Sequence, residues 1–260
     1  MFKQHLLRGL LVAACALPIA ACAGGGGGNR AIDTNYVARD VNTLYALGKQ
    51  NIDSGRYSRA ALIFAEVERQ HPYSVWARRA QLMGAFAHYM ANDYSEAVSA
   101  ANRFLAVHPG NKDAPYANYL IAMSYYNQIE DISRDQRITE LARDSFGELV
   151  RRYPASPYAA DARIKIDLVN DQLAGKEMEV GRFYQDTRRW IPATVRFQNV
   201  VDDYQSTAHV PEALHRLVES YLALGVPQEA QKAAAVLGAS YPGSVWYQRS
   251  YRLMREYNAG

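Results

Sequence analysis

Of the 260 residues, 49% are apolar, 21% are charged and 17 are glycine, a balance that excludes collagen, low-complexity sequence and wholesale disorder and supports a sizeable core. The two cysteines, Cys15 and Cys22, both fall in an N-terminal apolar stretch, so no disulfide framework is expected. The formal charge of +3 is not gathered on one segment: the pairs Arg78-Arg79, Arg151-Arg152 and Arg188-Arg189 are scattered, which argues against a nucleic-acid partner.

In chain order, Lys3 and Arg8 come first, with no acid, followed by the uncharged run Gly9 to Ala21. That run is shorter than the roughly 20 residues a membrane-spanning helix needs, so residues 1–21 are expected to be a cleaved export signal. Ile19-Ala20-Ala21-Cys22 is similar to the bacterial lipobox, in which small residues let a peptidase reach the bond before an acylated cysteine. Val12-Ala13-Ala14-Cys15 also fits, but leaves only Gly9 to Ala14 as apolar core, below the usual 7 to 15 residues. Cys22 is therefore the expected lipidation site. Ala23 rather than Asp follows it, which by similarity to the sorting rule of enteric bacteria implies delivery to the outer membrane. Residues 22–35, with Gly24 to Gly28, are expected to tether lipid to folded body. No strand precedes these glycines and no Gly-Lys-Ser/Thr follows, so they do not read as a phosphate loop.

Self-similarity organises the remainder. Leu47-Gly48, Gly55, Tyr57, Ala60, Phe64 and Pro72 occupy spacings that recur as Gly84-Ala85, Asn92, Tyr94, Ala97 and Pro109, and again as Leu217, Tyr221, Gly225, Ala230 and Pro242. This is the tetratricopeptide pattern, a 34-residue pair of antiparallel helices plus linker. Small residues let the two helices of a unit approach to about 8–10 Å, which sets the expectation that Gly48 meets Ala60, Ala85 meets Ala97 and Gly181 meets Ala193. Gly55 and Gly225 fit the left-handed position after a first helix, and each proline stops a second helix.

Two units are irregular. In the third, Ile121-Ala122 and Tyr125 supply the first helix and Ala142, Phe146 and Pro154 the second, leaving extra residues around Glu130 to Arg137 as a surface loop and candidate contact site. Tyr158 to Leu173, periodic in Ala162, Ile166, Val169 and Leu173, reads as an added helix. The fourth unit starts near Ala174, with Val180-Gly181, Trp190, Ala193 and Phe197, and has Gln205 where the others have proline. The expected fold is all-α: a helical solenoid of about five tetratricopeptide-like repeats, with one extra helix and a lengthened turn in repeat three. Repeats 1–3 are assigned to residues 36–157, and the linking helix with repeats 4–5 to residues 158–260.

A solenoid offers a concave face lined by first helices. In the first three repeats the first-helix positions not used internally include Tyr45, Phe86, Tyr89, Met90, Tyr116, Tyr119, Met123 and Tyr126, which would place much of the surplus of 19 tyrosines on one adaptable peptide groove. The bland alternative is that these rings fill an internal core. Catalysis finds no support. His71, His88, His108, His209 and His215 form no HExxH or Cys/His cluster, so no metal and no cofactor are expected. His209 and His215 are expected at the surface, and Asp202-Asp203 and Glu130-Asp131 as solvated charge near helix ends.

Finally, Ser133-Arg134-Asp135, Tyr153-Pro154-Ala155-Ser156-Pro157-Tyr158, Leu173-Ala174 with Glu177, Val180 and Tyr184, then Trp190 and Arg196, resemble the BamD family of lipoproteins of the outer-membrane β-barrel assembly machine. The resemblance implies a non-enzymatic scaffold, lipid-anchored at the periplasmic face of the outer membrane. Its implied partners are the POTRA domains of BamA, unfolded outer-membrane β-barrel proteins and other lipoproteins of the machine. It further implies that Arg196, on the second helix of repeat 4, is free to pair with a carboxylate of BamA. Another tetratricopeptide lipoprotein, such as a secretin pilotin or a division-linked protein, is the alternative.

Overall fold

The computed structural model describes residues 39–132 and 134–259; Cys22, the export signal and the tether lie outside them. Among the described residues all regular structure is helical. The elements are α1 (Val41–Asp53), α2 (Tyr57–Gln70), α3 (Val75–Met90), α4 (Tyr94–Val107), α5 (Ala114–Tyr126), α6 (Arg137–Arg152), α7 (Pro157–Asp186), α8 (Trp190–Asp203), α9 (Val210–Ala223), α10 (Pro227–Ser240) and α11 (Val245–Ala259). Each helix packs on its chain neighbour, so pairs α1/α2, α3/α4, α5/α6, α7/α8 and α9/α10 form five repeats and α11 closes the array. No helix among the described residues is long and apolar enough to cross a membrane.

The core repeats as the sequence does. At the equivalent position of every second helix an alanine, Ala60, Ala97, Ala142, Ala193 or Ala230, is fully buried. Two small residues of the first helices, expected to face those alanines, lie closest to a larger side chain. A Cβ on Gly48 would lie 2.6 Å from Cε1 of Phe64, and one on Gly181 would lie 2.5 Å from Cε1 of Phe197. Each glycine is thus a seat for a phenylalanine ring of the partner helix, and both rings are buried. Elsewhere one buried cluster holds Ala85 with Ala101 and Phe104, and another holds Ala122 with Phe146.

Turn chemistry explains the boundaries. Second helices end at His71, His108, Tyr153, Tyr204 and Tyr241, whose carbonyls accept the N–H of Ser74, Asn111, Ser156, Thr207 and Ser244 at 2.9–3.1 Å. The hydroxyls of Ser74, Ser156 and Ser244 then accept N–H bonds at the start of the next helix. Gln205 therefore loses nothing essential: the fourth repeat keeps the Tyr204–Thr207 bond without a proline. Four of the five first helices end with a residue in the left-handed region, Gly55, Asn92, Arg188 or Gly225, at φ 70°, 62°, 57° and 73°, while α5 ends at Asn127 without one. The following N–H in each case reaches back to close the last turn, Arg56 to Asn51, Asp93 to His88, Arg189 to Tyr184 and Val226 to Tyr221. Arg188 is the costly member, since an L-residue loses about 1–2 kcal/mol there. Arg188→Gly should raise stability by about 1 kcal/mol, or about 2–4 °C in a thermal melt for a chain of this size; an unchanged or lower midpoint would show that the arginine side chain offsets its backbone cost.

One region differs from expectation in detail. Residues 158–173 do not form a helix of their own; α7 runs unbroken for 30 residues and also supplies the first helix of repeat 4. Nothing between Leu173 and Lys176 breaks it, because Gly175 sits buried with His209 3.5 Å from where a Cβ would be. The lengthened turn of repeat three lies against this helix, with the Gln172 amide donating to the carbonyl of Glu130 at 3.2 Å.

Candidate inner-face binding groove

First helices touch successive first helices, α1 with α3, α3 with α5, α5 with α7 and α9 with α11, while among the described residues no comparable contact joins successive second helices. The array therefore curves with first helices inside, and their outward positions line one inner face. At its N-terminal end the Tyr45 ring lies 5.6 Å from Phe64 and 4.6 Å from Trp76. A cleft of about 460 Å³ follows, with Leu82, Met83 and Phe104 as apolar lining between Tyr45 and Tyr116. Burial raises the Tyr45 hydroxyl above its ordinary pKa and pushes Tyr116 up to about 12, so both phenols stay neutral.

Further along, Phe86 and Tyr89 pack one edge against the α3–α5 core. The Tyr89 oxygen accepts the Asn127 amide at 2.9 Å. Tyr119 stacks on Tyr158 at 5.1 Å and donates its hydroxyl to Asp161 at 2.6 Å. Burial, then that hydrogen bond, raises its pKa, while the same bond lowers that of Asp161. Met123 and Tyr126 lean on the core around Phe146, and the Lys165 ammonium lies 5.4 Å from the Tyr126 ring centre. All eight expected groove residues, Met90 included, are half-buried. All but Met90 pack against a core cluster while keeping part of the side chain exposed, so one side chain can serve both packing and contact.

Three residues lie outside the sequence expectation. Asp161 faces Tyr119 across the groove, and Ile164 and Leu168 follow it at three and seven residues on α7, on the same side of the helix. They are 62% and 54% exposed, apolar side chains left open to solvent on α7. The signal was present as two apolar residues off the buried stripe of Ala162, Val169 and Leu173; reading the segment as a separate helix hid it.

The C-terminal half of the inner face is of another kind. Arg182 pairs with Glu212 at 3.3 Å, Glu212 with Arg216 at 3.4 Å, and Arg216 with Glu219 at 3.0 Å, while the Gln185 amide also donates to Glu219 at 3.0 Å. Burial alone would raise Glu219, but the hydrogen bond and charge of His215, with Arg216 and Gln185, hold it below the usual carboxylate value. His215 is not a surface residue as expected: it is buried, with Nδ1 2.8 Å from the Ser250 hydroxyl. His209 is half-buried, 3.8 Å from Asp171. Nor is Arg196 free. Its guanidinium donates to both oxygens of Glu177, at 3.1 and 3.3 Å, and the Asn199 amide joins the same carboxylate at 3.0 Å. Glu177 lies on α7, too far along the chain for helical spacing to reveal it.

Residues 37–237 match the model of the family YfiO, described as an outer membrane lipoprotein. The chain is 47% identical to the outer membrane protein assembly factor BamD of Caulobacter vibrioides, over 96% of this chain and 82% of that protein. It is 44% identical to BamD of Rickettsia prowazekii, over 99% of each chain. With BamD of Neisseria meningitidis serogroup A the identity is 32% over 94% of each. The repeats, the long shared helix and the boundary turns described above are thus those of a chain that belongs to the YfiO family of outer membrane lipoproteins, the family of the assembly factor BamD.

Proposed function

We propose that the chain is a non-enzymatic scaffold of outer-membrane protein assembly, held at the periplasmic face of the outer membrane by lipid on Cys22 after removal of residues 1–21, with residues 22–35 as tether. Its N-terminal repeats, residues 36–157, hold unfolded segments of β-barrel proteins. Its C-terminal part, residues 158–260, joins the POTRA domains of BamA and, through them, other lipoproteins of the machine. The observation that carries the reading is the run of half-buried aromatic side chains from Tyr45 to Tyr126 along one inner face. Tyrosine, phenylalanine and methionine give large contact area at low ordering cost and adapt to varied sequences, as a receptor for many barrel segments requires.

For BamA the proposed contact includes Arg196, and the Glu177 pair sets how to test it. Arg196→Glu alone places two carboxylates against each other inside the chain, so lost binding would be ambiguous. The exchange Glu177→Arg with Arg196→Glu restores an internal pair of reversed polarity. It should keep the wild-type melting midpoint while losing about tenfold or more in capture of BamA POTRA domains at low salt. Wild-type capture by the exchanged protein would confine Arg196 to holding α8 on α7.

A further inference from the structure

The charged half of the inner face ends in a cleft that its ion pairs do not fill. The hollow, about 310 Å³, lies between α9 and α11 with Arg216, Arg249 and Arg252 among its walls. A second hollow of about 330 Å³ continues it along α11 past Arg252 and Arg255. Arg216 is taken by Glu212 and Glu219. Arg249 and Arg252, in contrast, have no ion-pair partner among the described residues.

Arg249 is nevertheless held in place. Its guanidinium lies 4.7 Å from the Trp246 ring centre, Arg216 lies 5.9 Å from the same ring, and Trp246 rests 5.3 Å from the His215 ring. His215 is in turn fixed by its bond to Ser250, and both are buried. A guanidinium fixed by stacking, with its donors turned to a cleft, has its ordering cost met before any ligand arrives.

We propose that this cleft binds an acidic peptide segment, with carboxylates of neighbouring side chains on Arg249 and Arg252. One turn of helix separates the two arginines, about 4.5 Å of rise, a spacing that carboxylates on a single segment can span. Glu219 and Glu256 in the cleft wall accept backbone N–H groups of such a segment. The same two carboxylates repel an anionic membrane surface, and a flat bilayer does not enter an inner face. This site is independent of the function proposed for the aromatic half.

The test uses the full chain carrying Cys22→Ser, so that no lipid anchor contributes. The probes are a fluorescein-labelled, amidated hexapeptide of alternating Glu and Ser, its Gln-for-Glu counterpart, and vesicles of phosphatidylglycerol. The Glu peptide should bind in a salt-sensitive manner, the Gln peptide should not, and Arg249→Gln with Arg252→Gln should weaken binding by about tenfold or more. Both arginines are exposed, so the double variant should keep the wild-type melting midpoint. Failure of the Glu peptide to bind, equal binding of the Gln peptide, or unchanged affinity in the folded double variant would each overturn the site. Vesicle binding lost in that variant, without peptide binding, would reassign the arginines to lipid.

Discussion

Truncating Phe197 to Ala should destabilise the chain by about 3–5 kcal/mol, and it should also reverse the sign of a second substitution, Gly181→Ala. In the wild type the methyl added by Gly181→Ala would sit 2.5 Å from Cε1 of the buried Phe197 ring. A ring locked in a core cannot give way by the ångström required, so overpacking should cost about 1–3 kcal/mol despite the roughly 1 kcal/mol by which Ala exceeds Gly inside a helix. Once the ring is gone the clash is gone, the propensity gain remains, and part of the cavity is filled. Gly181→Ala should then be neutral or stabilising by up to about 1 kcal/mol, giving a coupling of about 1–4 kcal/mol in a chemical-denaturation cycle. Additive effects would show that Gly181 is not the seat of the ring. The same logic applies to Gly48 and Phe64, where the hypothetical contact is 2.6 Å.

The second large effect is on binding rather than stability. Tyr119 and Tyr126 are poor sites for a binding test, because Tyr119 is bonded to Asp161 and Tyr126 packs on Phe146 at 6.0 Å, so truncation there disturbs the fold. Ile164 and Leu168 are exposed on α7, one and two turns beyond Asp161, the partner of Tyr119, and the proposed receptor surface extends to them. Ile164→Ser with Leu168→Ser should change stability by about 0.5 kcal/mol or less per site. If both anchor an unfolded barrel segment, each loss should cost about 1–2 kcal/mol of binding, or about thirtyfold or more together.

Much of this molecule can be read from its sequence because the tetratricopeptide unit is written in local chemistry. Gly55 and Gly225 mark first-helix ends through their freedom at positive φ, and the five buried alanines mark where second helices pass close by. Asn92 and Arg188 take the same backbone conformation without glycine, so composition alone concealed them. The break expected near Ala174 failed for the converse reason: a single glycine does not end a helix whose flanking residues are good helix formers and whose both halves have cores to join. The half-buried aromatic and Met side chains of repeats 1–3 were legible as a position pattern. The exposure of Ile164 and Leu168 was not, because it depends on α7 serving two repeats. Contacts between helices distant in register were least legible, as Arg196 with Glu177 and His215 with Ser250 illustrate, since side-chain meeting points depend on how helices are rotated against each other.

The central claim, that the inner face of the N-terminal half receives unfolded barrel segments, is tested most directly by titrating a fluorescent peptide from the C-terminal strand of an outer-membrane barrel protein into the wild type and into Ile164→Ser/Leu168→Ser. Helix content and melting of the two proteins are compared alongside. Saturable binding to the wild type and an affinity about thirtyfold weaker in an equally folded double variant is the expected result. Equal affinity in the two proteins, or a wild type that does not bind, would contradict it.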